Sequence, residues 1–289
     1  MGRIPSTPHL RPPQEQGFGV QVWQPYQSTQ PCCEPVAHIQ AENLSIAYHG
    51  RPALQQVNLP INKGCITALI GPSGCGKTSF LMSINRLTDL IPGCQVSGQL
   101  HLETVDILSS STNLLRLRRQ VGMIFQKPTI FPFSIRKNLE IPLRELGTHD
   151  RTTFPSTIEH VLQQVGLWNE IKDRLDQPAQ ALSGGQQQRL CLARAMVLSP
   201  EVLLLDEPCS ALDPISSGTI EDLIGSFRGQ YTIVIVTHNL AQARRMADYI
   251  ALFWSENGTG QLIETGTAQQ IFEFPQHELT AAYISGSRG

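Results

Sequence analysis

The chain has 289 residues, 40% of them hydrophobic, and a formal net charge of −2 at pH 7, so it is long enough to bury a substantial core. Without a Lys/Arg run, this near-neutral balance argues against nucleic acid as the main partner, because binding a phosphate backbone needs clustered positive charge. No stretch approaches the about 18 to 20 apolar residues of a membrane-spanning helix. The seven cysteines lack metal-ligand spacing, and the plain reading is a soluble intracellular protein with reduced thiols.

Residues 1–36 are rich in Pro and Gln and lack apolar periodicity. Such a segment cannot bury enough surface to offset its ordering entropy, so a disordered extension is expected there and a folded domain over 37–289. Residues 39–48 and 54–61 alternate as strands around His49-Gly50-Arg51-Pro52, a turn. Tyr48 reads equally as a half-buried strand residue and as an aromatic able to stack on a nucleotide base.

The apolar, partly β-branched run 65–70 predicts a buried strand, and 79–84 a helix packed on a sheet. Between them stands Gly71-Pro72-Ser73-Gly74-Cys75-Gly76-Lys77-Thr78, followed by Ser79. A strand feeding a helix through G-x-x-x-x-G-K-[ST] is a phosphate cradle. Its glycines let backbone N–H groups converge on phosphate, and the helix N-terminus adds partial positive charge. Lys77 is placed to reach β- and γ-phosphates and Thr78 to bind Mg²⁺. Cys75 reads as a small residue that fits the loop, or as a thiol whose pKa the nearby amides and Lys77 lower.

Further along, residues 98–106 suggest a strand, and 121–125 a short buried one ending at Gln126, whose neutral amide suits Mg²⁺ or water. Prolines punctuate helical patterns from 127 to 181, including a helix over 156–165; this is a helical insertion on an α/β core. Leu182-Ser183-Gly184-Gly185-Gln186 then opens an amphipathic helix with Leu190, Ala193 and Val197 on one face. Ser183 is a natural N-cap, and its hydroxyl with two unhindered glycine amides is a second anion site unless it only caps.

Residues 202–205 form an apolar strand ending in Asp206 and Glu207, and 231–237 another ending at His238. Strands alternating with helices imply a mostly parallel sheet covered on both faces. Ligands bind at the C-terminal edge of such sheets. An acid there, Asp206, suits Mg²⁺, while Glu207 can orient an attacking water and His238 can hydrogen-bond phosphate or that water.

Taken together these residues resemble the ATP-binding cassette (ABC) ATPases from Ile39 onward. Residues 71–78 match that family's Walker A, 202–207 its Walker B, Gln126 the Q-loop and 182–186 the LSGGQ motif. Ser210-Ala211-Leu212-Asp213 matches the D-loop, His238 the switch histidine, and Tyr48 the adenine-stacking aromatic. The resemblance implies a P-loop NTPase core with an antiparallel β subdomain and a helical subdomain over about 127–181. It also implies ATP and Mg²⁺ as ligands, Glu207, His238 and Gln126 as catalytic residues, and Thr78, Gln126 and Asp206 around the metal.

The same resemblance implies a head-to-tail homodimer, in which Ser183, Gly184, Gly185 and Gln186 of one copy cover the nucleotide of the other and Asp213 communicates across the interface. The partners it implies are two integral-membrane permease subunits holding the chain at the cytoplasmic face of the inner membrane. Within the family the chain is most similar to bacterial phosphate-import ATPase subunits, through residues 85–93, Phe125-Gln126-Lys127-Pro128, 208–215, 231–239 and 283–286, which implies indirect partnership with an external phosphate-binding protein. Thr129-Ile130 departs from the Asn-Pro usual there. The alternatives are an importer ATPase for another solute, such as an amino acid or another oxyanion, and a soluble cassette protein acting on ribosomes or DNA.

Overall fold

The structure is a computed structural model that describes residues 36–145 and 151–287; the expectation for the 1–36 extension lies outside the described residues, Val36 excepted. Strands β1 (Ala37–Tyr48) and β2 (Arg51–Asn62) form an antiparallel pair. His49 and Gly50 turn between them with φ of 51° and 77°, the left-handed pair that two-residue hairpins favour. Arg51 and Pro52, expected in the turn, are therefore already strand.

Fully buried β3 (Ile66–Ile70) feeds α1 (Lys77–Ile84). Next, β4 (Cys94–Leu102) pairs with β1, and a left-handed Glu103 turns the chain into the short β5 (Val105–Asp106). The single strand expected over 98–106 is thus two. Helix α2 (Leu114–Gln120) leads to β6 (Val121–Ile124), which stops one residue short of expectation because Phe125 is 42% exposed.

The insertion is helical as expected: α3 (Ile135–Glu145), α4 (Phe154–Gln164) and α5 (Trp168–Ile171). Pro155 lies in the first turn of α4, where its missing N–H costs no helical hydrogen bond, so the helix starts before residue 156. Then come α6 (Gly184–Met196), β7 (Val202–Asp206), α7 (Pro214–Ser226), β8 (Thr232–Val236) and α8 (Leu240–Met246). The chain closes with a hairpin, β9 (Tyr249–Glu256) and β10 (Thr259–Thr267), and with α9 (Ala268–Glu273) and α10 (Glu278–Ile284).

All ten strands join one mixed sheet in the order β5-β4-β1-β2-β10-β9-β3-β8-β7-β6. Strands β9, β3, β8, β7 and β6 run parallel, while β5, β4, β1 and β2 are antiparallel. Among the described residues the ladder joins the halves at one strand pair, Gly260 on Leu54. Alternation along the parallel strands feeds two cores. Ile66, Ala68, Ile70, Leu203 and Leu205 pack with the insertion and α6; Leu69, Leu204, Val234 and Phe253 pack with α1 and the antiparallel strands. Each Val, Leu, Ile or Phe side chain among them contributes about 1.5–3 kcal/mol by leaving water.

Cys75, Cys94, Cys191 and Cys209 are free, whereas Cys65 is disulfide-bonded, which corrects the expectation of reduced thiols at that position. No helix among the described residues is long and apolar enough to cross a membrane.

Two glycines separate space from conformation. A Cβ on Gly260 would lie 2.1 Å from the Cys75 carbonyl oxygen, whereas one on Gly225 of α7 meets nothing within 4 Å. We expect Gly260→Ala to destabilise the protein by about 1–3 kcal/mol through backbone overpacking. Gly225→Ala should stabilise it by roughly 0.5–1 kcal/mol through helix propensity. Urea unfolding of both variants checks the pair, and equal effects would contradict the packing at Gly260.

Candidate active site

Four strand ends converge. The aligned registers Leu69–Val236, Asp206–Val236 and Ile124–Leu205 put the C-terminal ends of β3, β8, β7 and β6 side by side. The residues that follow them (Gly71, Thr237 and His238, Glu207, Gln126) therefore share one edge of the sheet, the edge where open α/β sheets bind ligands.

The loop 71–78 turns through three left-handed glycines, Gly71, Gly74 and Gly76, with φ of 134°, 80° and 92°. Gly71 has a second reason to lack a side chain, since a Cβ there would fall 2.0 Å from the Phe253 carbonyl oxygen of β9. Lys77 is 6% exposed, and its Nζ donates to the carbonyls of Gly71 (2.7 Å) and Pro72 (2.6 Å). Among the described residues no carboxylate ion-pairs with it. The remaining Nζ hydrogen bond reaches Cys75 Sγ at 3.5 Å, and a buried cation held by dipoles without an ion-pairing carboxylate is an arrangement completed by an anion.

Thr78 Oγ1 donates to Asp206 Oδ1 at 3.0 Å, which joins the loop to the end of β7 and sets a hydroxyl beside a carboxylate, both hard oxygen donors suited to Mg²⁺. Burial holds the Asp206 carboxyl above its usual range, and the neighbouring Glu207 charge adds to this, against the Thr78 hydrogen bond and Lys77. Tyr48 Oη donates to Ser79 Oγ at 3.0 Å, and burial raises its phenol pKa. Tyr48, Ala53, Ser73, Gly74, Gly76, Lys77, Thr78, Ser79 and Glu207 line a groove of about 350 Å³. Ala53, absent from the sequence-level site, enters because β2 runs along the loop.

Glu207 stands in the left-handed region at φ 45°, a strain of order 1–3 kcal/mol for a residue with a side chain. Its N–H donates to the Val236 carbonyl (3.0 Å), and its own carbonyl accepts from the Ser210 N–H (3.2 Å) and hydroxyl (3.1 Å). This framework aims the carboxylate at Gln126, whose Nε2 donates to Glu207 Oε2 at 3.0 Å and to Ser210 Oγ at 3.2 Å. His238 Nδ1 lies 3.2 Å from that same carboxylate oxygen. Gln126, Glu207 and His238 thus form one constellation, and Glu207 also faces the groove.

Ser183–Gln186 stand apart: none of them lines the groove. Ser183 Oγ accepts from the Gln186 N–H while Gln186 Oε1 accepts from the Ser183 N–H, a complete capping box. Gln186 Nε2 also donates to Glu170 at 2.8 Å, so its side chain is committed within the chain. Gly185 is buried against Ser216 of α7, 3.0 Å from where a Cβ would sit, whereas Gly184 is exposed. Close helix packing therefore accounts for one of the two glycines and leaves the other open.

Asp213 caps α7, accepting from the Ile215 and Ser216 N–H groups at 3.0 Å; hydrogen bonding from the Ser216 side chain first, and then from these backbone groups, holds its carboxyl below the usual range. For Cys75 the reading of a lowered pKa fails. Its thiol is fully buried, and burial raises the pKa against the opposing pull of Lys77. Thr129 and Ile130, at the departure from the family pattern, are tied inward: the Thr129 carbonyl accepts from Arg194, and Ile130 packs on the core.

A glycine-rich phosphate loop on a mixed sheet, with an acid ending the neighbouring strand, defines a P-loop NTPase. A family model described as ABC transporter matches residues 54–210, and the chain belongs to that family: it is an ATP-binding ABC ATPase. It is 55% identical, over the full length of both proteins, to "Phosphate import ATP-binding protein PstB 1" of Nitrosococcus oceani. It is 47% identical to "Phosphate import ATP-binding protein PstB 2" of Bacillus subtilis, over 87% of this chain and 92% of that protein. Among solved structures, cbiO1 from Clostridium perfringens, part of the ABC transporter complex cbiONQ, is 25% identical with a TM-score of 0.71, over 88% of this chain and 96% of that one.

The raised Asp206 pKa has a sign that can be tested. Its ionised form is less favourable in the fold than in the unfolded chain, so the penalty is present above the folded pKa and vanishes below the ordinary carboxylate value. In nucleotide-free protein with chelator, Asp206→Asn should therefore melt higher than wild type at pH 7. The gap should close as pH falls through the raised and then the ordinary carboxylate range. A variant less stable at pH 7 would contradict the burial account.

Proposed function

We propose that this chain is the ATP-hydrolysing subunit of an ABC importer that takes up inorganic phosphate through membrane permease subunits. The observation that carries the nucleotide chemistry is Lys77, a buried ammonium held by two loop carbonyls with no ion-pairing carboxylate among the described residues. What supports phosphate as the solute is that relatives 47–55% identical over most of the chain are phosphate import ATP-binding proteins. The ATPase itself need not touch the solute.

In this reading residues 37–289 are the ABC ATPase domain, with 127–181 as its helical subdomain and 1–36 as an extension. The loop amides and Lys77 bind and neutralise the triphosphate, and Tyr48 carries the base. Thr78 and Asp206, with Gln126 nearby, hold Mg²⁺, which when bound offsets the charge of the β- and γ-phosphates. Glu207 orients the attacking water. Gln126 fixes one carboxylate oxygen of Glu207 by hydrogen bond, and His238 sits beside the same oxygen to hold the water or the γ-phosphate.

In this reading Ser183, Gly184 and Gly185 of a second copy complete the groove in a head-to-tail homodimer. Gln186 shapes that turn through the capping box. ATP binding closes the dimer, and hydrolysis with product release reopens it. Closure drives two permease subunits that hold the chain peripherally at the inner membrane and that receive phosphate from an external binding protein.

Lys77→Ala should weaken ATP binding about 10- to 100-fold, the worth of a charged hydrogen-bonding group, as read by titration of a fluorescent ATP analogue; unchanged affinity would contradict the loop assignment. Glu207→Gln should leave ATP affinity near wild type, slow hydrolysis by about 10²-fold or more, and elute as an ATP-dependent dimer in gel filtration. Turnover at the wild-type rate would remove Glu207 from the mechanism. For the solute, co-purified permease subunits are reconstituted in vesicles, where phosphate, and not an amino acid, should be taken up on ATP addition.

A further inference from the structure

A second cluster lies at the opposite, N-terminal edge of the parallel strands. His38 is the second residue of β1, Glu103 is the left-handed turn between β4 and β5, and Glu201 immediately precedes β7. Their placement is fixed by backbone: the Glu103 N–H donates to the His38 carbonyl at 2.8 Å, and the Thr232 N–H to the Glu201 carbonyl at 3.0 Å. His38 is 2% exposed. Its Nδ1 is 2.6 Å from Thr232 Oγ1, and its Nε2 is a buried polar atom with no hydrogen-bond partner. That atom points between two carboxylate oxygens, Glu103 Oε1 and Glu201 Oε2, each 3.6 Å away and so beyond hydrogen-bond reach.

We propose that His38, Glu103 and Glu201 form a binding site for a divalent transition-metal ion, with Zn²⁺ the best match. Ligand atoms from all three residues lie within 4.8 Å of one another. With metal–ligand lengths of about 2.0–2.2 Å, atoms 3.6 Å apart subtend roughly 110–130° at the ion, near the tetrahedral angle. One imidazole nitrogen and two carboxylate oxygens suit Zn²⁺ better than Mg²⁺ or Ca²⁺, which take oxygen alone. The side chains of Glu103 and Glu201 are about half exposed, at 50% and 45%, so they can close on an ion and leave a position for water.

Thr232 supplies the outer support a ligating histidine uses. When Nδ1–H donates to its hydroxyl, the Nε2 lone pair faces the two carboxylates, a concentration of negative charge that a cation relieves. Burial, followed by the Lys63 charge, lowers the His38 pKa against the pull of both glutamates, favouring the neutral ring that ligates metal. Lys63 is the competitor. Its Nζ ion-pairs with Glu103 Oε1 at 2.6 Å, but its side chain is 57% exposed and can swing away into water.

The test uses the full chain, stripped with chelator, without nucleotide, titrated with Zn²⁺ against a competing chromophoric chelator. Wild type and Asp206→Asn should each bind one equivalent at this site, and Zn²⁺ should raise their melting temperature. Glu103→Gln/Glu201→Gln, which leaves the buried His38 in place, should lose at least about tenfold in affinity and show no thermal shift. Lys63→Met should bind Zn²⁺ more tightly than wild type. Equal binding in wild type and the double glutamine variant, or no Zn²⁺ binding by wild type because a proton on His38 alone serves the carboxylates, would overturn the proposal.

Discussion

The phosphate-binding loop is backbone pressed against backbone, and the rest of the active site depends on that contact. Gly71 abuts the Phe253 carbonyl of β9, and the Cys75 carbonyl abuts Gly260 of β10. The loop cannot relax outward without parting from the hairpin, nor inward, because Lys77 ties two of its carbonyls together. Sheet register then does the remaining positioning. Since β3, β8, β7 and β6 end in line, one rigid edge carries the cradle, both acids, the glutamine and the histidine. Gly260 serves twice, for it also holds the strand pair that joins the antiparallel half of the sheet to the parallel half.

That edge collects charges that are only partly compensated within the chain. Lys77 leans on carbonyls, Asp206 and Glu207 are adjacent acids, and burial pushes the Asp206 carboxyl upward. Strain is added at Glu207, a left-handed residue held by hydrogen bonds to Val236 and Ser210. Buried unpaired charge and backbone strain of this kind persist where the surrounding fold over-determines them. In the proposed function a magnesium nucleotide would compensate these charges, its phosphates at Lys77 and its metal at Asp206, and a ligand that binds the folded site would stabilise it.

Much of this was legible in the sequence because each local signal agreed with the next: an apolar strand, a glycine loop, a helix, then an acid after four aliphatic residues. The hairpin of β9 and β10 was not read, although Asn257-Gly258, both left-handed in the structure, is the dipeptide that marks such a turn. Its role against the loop could not be read at all, since nothing local to residues 249–267 says which backbone they will meet. Cys75 shows the same limit. Its neighbours in sequence suggest a lowered pKa, but its neighbours in space bury it and raise the pKa. At the LSGGQ stretch, Ser183 was correctly read as a cap, whereas the reason for Gly185 lies across the fold on α7.

The strands that align the nucleotide edge also separate it from the His38 cluster. Glu201 precedes β7 and Asp206 ends it, with four fully buried aliphatic residues between them. Five strand residues span about 17 Å. At that separation two unit charges interact by about 1 kcal/mol at an effective dielectric constant of 20, so a charge at one edge is weakly felt at the other. The N-terminal edge instead cross-links elements: His38 and Glu103 belong to the antiparallel strands, Glu201 and Thr232 to the parallel ones. An ion bound there braces the two halves of the sheet against each other, complementing the joint at Gly260 and leaving the barrier to hydrolysis to the residues at the other end of the same strands.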